Sequence, residues 1–250
     1  MRWSERQRAM LQEMGIRLWQ TPQPDEPHVD TATATGTPPA PAVAANAPVA
    51  LVRGDVARLD WPALREAVAS CTACALCKTR RQTVFGVGNP RAHWMLVGEA
   101  PGEQEDLQGE PFVGKSGQLL DNMLRAIGLT RGEAASEQQV YIANTLKCRP
   151  PGNRNPLPDE LEKCEGFLIR QVQLVQPKVI LAMGAYAVQS LLRSTEPVGR
   201  LRGRVHQYQG VPLIVSYHPA YLLRNPVDKA KAWDDLCLAV EASRVRSASG

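Results

Sequence analysis

Short apolar runs alternate with amphipathic segments along most of this chain. Trp94–Val97 is an unbroken apolar run that stops at a glycine. Val140–Leu146, Val179–Met183 and Val211–Tyr217 are three more short runs rich in branched residues. Continuous runs of this length, bounded by turn residues, read as strands buried on both faces. Between them the period changes. Leu119, Leu120, Met123, Leu124 and Ile127 recur at helical spacing from Ser116 to Ile127, as do Leu161, Phe167, Leu168, Val172 and Val175 from Asp159 to Val175. A helix from Gly184 to Leu192 and a closing one from Ala230 to Ala242 complete the alternation. Asp60 is the expected N-cap of an earlier helix running through Leu64 and Val68 toward Cys71. Strands alternating with helices predict an α/β fold with a mainly parallel four-stranded sheet covered on both faces. Ligands in such sheets collect at the carboxyl ends of the strands.

The amino-terminal part breaks this pattern. Met10, Leu11, Met14 and Leu18 give residues 1–20 the spacing of a short amphipathic helix, and residues 21–50 are rich in Pro, Ala and Thr. The second stretch cannot assemble a packed element and is expected to be a disordered linker. The folded domain is expected to span residues 51–245. No run reaches the length of a membrane span, and the first residues lack an apolar signal core. Six cysteines in 250 residues is too few for a disulfide-stapled secreted domain. A cytoplasmic protein that does not enter membranes is expected. A net charge of +4 is compatible with nucleic acid.

Four of the cysteines fall into two separated pairs. Cys71 and Cys74 lie in a Cys-Thr-Ala-Cys sequence, and Cys148 and Cys164 flank a Pro- and Arg-rich loop. Four thiolates suit zinc or an iron–sulfur cluster. The strand-end residues lie between and beyond the pairs. Gly98-Glu-Ala-Pro-Gly102 allows close backbone approach to a ligand. Phe112, set between Pro and Gly, can stack on a nucleobase or plug its loop onto the core. Gly114-Lys-Ser resembles the end of a phosphate loop, but no strand precedes Gly109, so a nucleoside triphosphatase is rejected. Asn144 places an amide in an apolar strand, where it either meets a pyrimidine edge or bonds a neighbouring loop. His218 follows the last strand and can donate to developing negative charge.

Together these segments carry a resemblance. Gly98-Glu-Ala-Pro-Gly-Glu103, Glu105-Asp106, Gly109 through Asp121, Asn144 through Pro151 and His218 through Pro226 resemble the iron–sulfur uracil-DNA glycosylases, family four of their superfamily. The likeness runs from about Cys71 to Ala239 in family order. It implies a three-layer α/β/α sandwich and a 4Fe–4S cluster on Cys71, Cys74, Cys148 and Cys164. It also implies a monofunctional hydrolase that removes uracil from DNA, without a lyase step, to begin base excision repair. Phe112 would stack on the uracil and Asn144 would read its polar edge. Gly98, Glu99 and Ala100 would line the pocket, and His218 would face the carbonyl oxygen that gains charge. Cys77 and Cys237 would be ordinary thiols. Other branches place an aspartate directly after the residue matching Glu99. Ala100 stands there in this chain, which leaves Glu99 as the candidate for activating water.

The loop after His218 offers Leu222 or Leu223 to fill the vacated base stack and Arg224 to hold a phosphate. Lys147, Arg149, Arg154, Arg200, Arg202 and Arg204 are candidates for the phosphate-contacting surface. The expected partner is uracil-containing DNA, bound by a monomer, with residues 1–50 available to a protein partner. Rival classes ask for other residues. A covalent uracil-DNA binder of related sequence carries an Arg-rich insertion with a histidine after the Asn-bearing strand, and Lys147–Pro158 has no histidine. A redox protein would not need Phe112, Asn144 and His218 together. A non-catalytic binding module remains the alternative for residues 1–50.

Overall fold

The computed structural model describes residues 56–248, with side chains to 244. The amphipathic helix and linker expected within residues 1–50 lie outside the described residues. Six strands form one sheet, β1 (Val87–Gly88), β2 (Trp94–Gly98), β3 (Val140–Asn144), β4 (Val179–Met183), β5 (Val205–Tyr208) and β6 (Val211–Ser216). Their spatial order is β1-β3-β2-β4-β6-β5. The four central strands are those expected from the apolar runs, and they pair in parallel with one another.

Two antiparallel edge strands were not anticipated. β1 is only two residues long and ends in a glycine. β5 is half-exposed, so it lacks the apolar run that marked the others. Its signal was the turn. Gln209 and Gly210 both adopt positive φ, 51° and 75°, which makes the two-residue hairpin whose twist matches paired strands.

The helices α1 (Trp61–Ala69), α2 (Glu103–Gln108), α3 (Lys115–Ala126), α4 (Pro158–Val175), α5 (Ala185–Leu192), α6 (Val198–Leu201), α7 (Pro219–Arg224) and α8 (Lys229–Ala248) fill the connections. The Asp60 carboxylate caps α1 by accepting from Ala63 N at 3.0 Å. Strand alternation divides the core. Met95, Val97, Tyr141, Ala143, Ile180 and Ala182 point to one face. There they meet Leu168 and Val172 of α4 and Val188 and Leu191 of α5. α8 packs against β4 and β6. Among the described residues no helix is long and apolar enough to cross a membrane.

Behind β3 lies a buried polar network. Lys147, 1% exposed, donates from Nζ to Asn144 O at 2.7 Å and to Gln171 Oε1 at 2.6 Å. Gln171 Nε2 donates in turn to Phe85 O and the Tyr141 hydroxyl. This corrects the placement of Lys147 on the DNA-facing surface. Burial lowers its ammonium to a pKa of about 8, with the sulfurs of Cys164 and Cys148 opposing. Removing one partner of a buried charged group leaves the other uncompensated. Gln171→Leu is therefore expected to destabilise the protein by roughly 1–3 kcal/mol or more. A melting temperature equal to that of the parent chain would show that the network contributes nothing.

Candidate active site and cysteine-lined cavity

The carboxyl ends of β2 and β3 are locked side by side. Thr145 N donates to Gly98 O, while Leu146 N and the Thr145 hydroxyl donate to Glu99 O. The chain turns back here, so β3 ends at Asn144 rather than continuing to Leu146. Gly98 and Asn144 are register partners. A Cβ on Gly98 would overlap both the Asn144 amide oxygen and the Phe112 ring. Asn144 is 2% exposed, and its Oδ1 is buried without a hydrogen-bond partner in the protein. Buried amides are rarely left so. The orphan acceptor lines an open cleft of about 820 Å³ with Glu99, Ala100, Phe112, His218 and Arg224.

Phe112 sits at φ 58°, a left-handed conformation unusual for a bulky residue. Neighbouring groups impose it. Glu105 Oε1 accepts from Val113 N at 3.0 Å and Gly114 N at 3.4 Å. Glu105 Oε2 accepts from Gly102 N at 3.0 Å, so one carboxylate ties both glycine loops. Arg131 Nη1 donates to Pro111 O, and Gly117 leaves room for the Phe112 carbonyl. Held in this way, the Phe112 ring faces the His218 imidazole at 5.4 Å between centroids, 27° from parallel.

Glu99 reaches across to β4. Its Oε1 accepts from Tyr186 N at 3.0 Å, and the carboxylate also accepts from the Ala185 amide, at the start of α5. Gly184, at φ 96°, has no space for a side chain beside Glu99 and His218. Burial raises the Glu99 pKa, and the two amides oppose the rise. His218 caps α7, its Nδ1 accepting from Ala220 N at 3.1 Å. An accepting Nδ1 carries no proton, so the neutral ring holds its proton on Nε2. Burial pushes the imidazole down to about 4, aided by the charge of Arg224 and opposed by Glu105.

The remaining expected residues divide. Leu222 is 1% exposed and cannot enter a base stack, whereas Leu223 is 43% exposed. Leu222 occupies the inward side of α7, and Leu223, about 100° further round the helix, faces out. Arg154 lines the cleft while its guanidinium holds Glu160 through two bonds. Arg202 is engaged with buried Asp235. Glu105 and Gly184 were not singled out from sequence as site residues. The signals were a carboxylate at the third position of α2 and a glycine directly after a buried strand.

A second cavity is lined by Cys71, Cys74, Cys77, Cys148 and Cys164. Cys77, expected to be an ordinary thiol, is thus among the lining residues; Cys237 is not. All are free thiols. Arg80 Nη1 donates to Cys148 Sγ at 3.1 Å, and Lys147 N donates to Cys164 Sγ at 3.3 Å. Burial pushes the Cys164 thiol up to about 12, with Lys147 opposing. Burial also raises Cys148 and Cys74. Among the described residues no three His, Cys, Asp or Glu side chains converge on a single ion. The thiols surround a space instead.

The histidine geometry carries a pH signature. An unfolded His218 would protonate near 6.5 and the folded one near 4. Between these values the unfolded state binds the extra proton, so the His218 contribution to stability is intact above 6.5 and is lost as pH falls toward 4. Nitrogen NMR of the folded protein should show a neutral His218 with Nε2 protonated down to about pH 5. A midpoint near 6.5 would refute the effect of burial, and a proton on Nδ1 of the neutral ring would refute the assigned tautomer.

Comparison with known proteins agrees with this geometry. The model of the uracil DNA glycosylase superfamily matches residues 85–237. A type-4 uracil-DNA glycosylase of Archaeoglobus fulgidus is 44% identical over 167 residues, 64% of this chain and 81% of the relative. One from Thermotoga maritima is 42% identical over 162 residues, again 64% and 81%. A third, from Pyrobaculum aerophilum, is 38% identical over 190 residues, 72% of this chain and 93% of the relative. The family match spans the sheet from Phe85 to Cys237 and includes Glu99, Phe112, Asn144 and His218, and the chain belongs to the uracil-DNA glycosylase superfamily, in its type-4 branch.

Proposed function

We infer that the cleft receives a uracil extruded from DNA and hydrolyses its N-glycosidic bond, leaving an abasic site. The observation that carries this reading is the orphan Asn144 amide beside two facing rings. A pyrimidine edge with an N–H donor and a carbonyl acceptor satisfies that amide. Extrusion costs a few kcal/mol. Stacking on Phe112 and pairing with Asn144 offset part of that cost.

Breaking the bond between sugar C1′ and uracil N1 sends the electron pair into the base. Negative charge gathers on N1 and on the adjacent carbonyl oxygen. A neutral His218 with its proton on Nε2 donates to that oxygen without transferring the proton. The sugar is left with positive character, which the Glu99 carboxylate stabilises. Water adds to C1′, and its proton passes to Glu99 or to solvent. Arg224, exposed at the rim, holds a backbone phosphate, and Leu223 enters the gap left by the base.

The cysteine cavity suits a 4Fe–4S cluster. Cysteines that line one cavity, with Arg80 donating to the Cys148 sulfur and Lys147 N to the Cys164 sulfur, have the hydrogen bonding that cluster thiolates take. Burial raises the pKa values of Cys74, Cys148 and Cys164, so their thiolate forms call for compensating positive charge. Cys71, Cys74, Cys148 and Cys164 would hold the cluster, which supplies a crosslink between the segment before β1, the end of β3 and α4.

His218→Ala is expected to slow single-turnover excision from a uracil–guanine duplex by roughly a hundredfold to a thousandfold, with abasic-duplex affinity retained. Asn144→Ala should lower excision far more than DNA binding. Purified parent chain that leaves uracil oligonucleotides intact would overturn the reading.

Anaerobically purified protein is expected to be brown and to contain iron. Cys148→Ser should lose the iron and the soluble fold together. Cys77→Ser and Cys237→Ser should keep it. Zinc without iron in the parent chain would exclude the cluster, and iron loss in Cys77→Ser would move that residue into the ligand set.

A further inference from the structure

We propose that Tyr217 and Tyr221 form a second stacking platform, which takes the nucleobase adjacent to the extruded uracil on the same strand. The proposal rests on the uracil reading of the cleft. The two rings are stacked on each other, 4.9 Å between centroids and 18° from parallel. Both line the cleft that contains Phe112, Asn144 and His218. Both are half-buried, whereas Tyr141 and Tyr208 are sealed within the core. They bracket His218 in sequence, directly before it and one helical turn after it.

The platform is braced from behind. The Tyr221 hydroxyl donates to Asp228 Oδ2 at 2.7 Å, and Lys231 Nζ holds the other oxygen of that carboxylate at 2.8 Å. Tyr217 packs against the main core cluster. Rings fixed before binding lose little freedom when a base settles on them. Arg224, at the end of the same short helix, supplies positive charge where the strand's phosphates must pass.

Extrusion creates the need for such a surface. When uracil leaves the stack, its neighbour loses a partner on one face. In a duplex an inserted side chain can cover that face. In a single strand nothing else does. Every base has a π-face, so the platform should accept any of the four without selecting sequence. It therefore predicts good use of single-stranded substrate.

The test uses the full, metal-containing chain and short single-stranded oligonucleotides. The base on the 5′ or the 3′ side of uracil is replaced by an abasic spacer. Fluorescence anisotropy reads binding, and single-turnover assay reads excision. The parent chain is expected to bind about five- to a hundredfold more weakly when the base on one of the two sides is removed. Tyr217→Leu and Tyr221→Leu, which keep apolar bulk without a π-face, should lose a similar factor on the intact strand and no longer sense the spacer. Tyr217→Phe should retain both affinity and discrimination. Leucine variants that discriminate as the parent does would overturn the proposal. So would a parent chain indifferent to both replacements, a result that needs no variant to fold. A parent chain that discriminates in binding yet releases no uracil would keep the platform and remove the uracil reading instead.

Discussion

The site depends on a methyl group that is absent. At the end of β2, Gly98 leaves a space that the Asn144 amide enters from β3 and the Phe112 ring enters from the loop before α3. Any side chain at residue 98 would push one of them out. Parallel pairing brings the backbones of β2 and β3 within hydrogen-bonding distance regardless of sequence. Only glycine lets the next layer of groups come equally close. Glu99, one residue on, is then carried over the start of α5, where a second glycine, Gly184, makes the same kind of room. The two glycines gather groups from three strands and one loop at a single carboxyl edge.

The parallel strands could be read from the chain because each is buried on both faces and spelled as an unbroken apolar run. Helical spacing located α3 and α4 to within a residue. The edge strands were hidden because pairing on one side leaves little pattern. β1 is two residues long, and β5 exposes Val205. Within the site, the residues lying in a motif were legible, but their supports were not. Glu105 acts through oxygen atoms aimed at backbone amides two loops apart, which no local pattern encodes. Lys147 has the composition of a surface contact and the location of a core residue. Only the three-dimensional placement of Gln171 and the Asn144 carbonyl explains why it can be buried.

That lysine also joins the two halves of the molecule's chemistry. Its backbone amide faces a cavity cysteine, and its ammonium holds the carbonyl of the residue that would read the base. The cysteine-lined region and the cleft are thus separated by one buried side chain. Both contacts bear on the end of β3. The cavity is then a brace for the end of the strand rather than a remote ornament of the fold.

The left-handed backbone at Phe112 has a consequence for how this chain can change over generations. A bulky residue in that conformation costs of the order of 1–3 kcal/mol relative to one that adopts it freely. Glycine is the residue that would adopt it freely, and a glycine there would relax the loop while removing the ring. A glycine would also empty the space that the buried ring fills beside Gly98 and His218, and loss of a buried phenyl ring costs about 3–5 kcal/mol, more than the strain it would relieve. The strained backbone at residue 112 is therefore held in place by the ring's own packing and by the bonds that Glu105 and Arg131 make to the residues on either side of it.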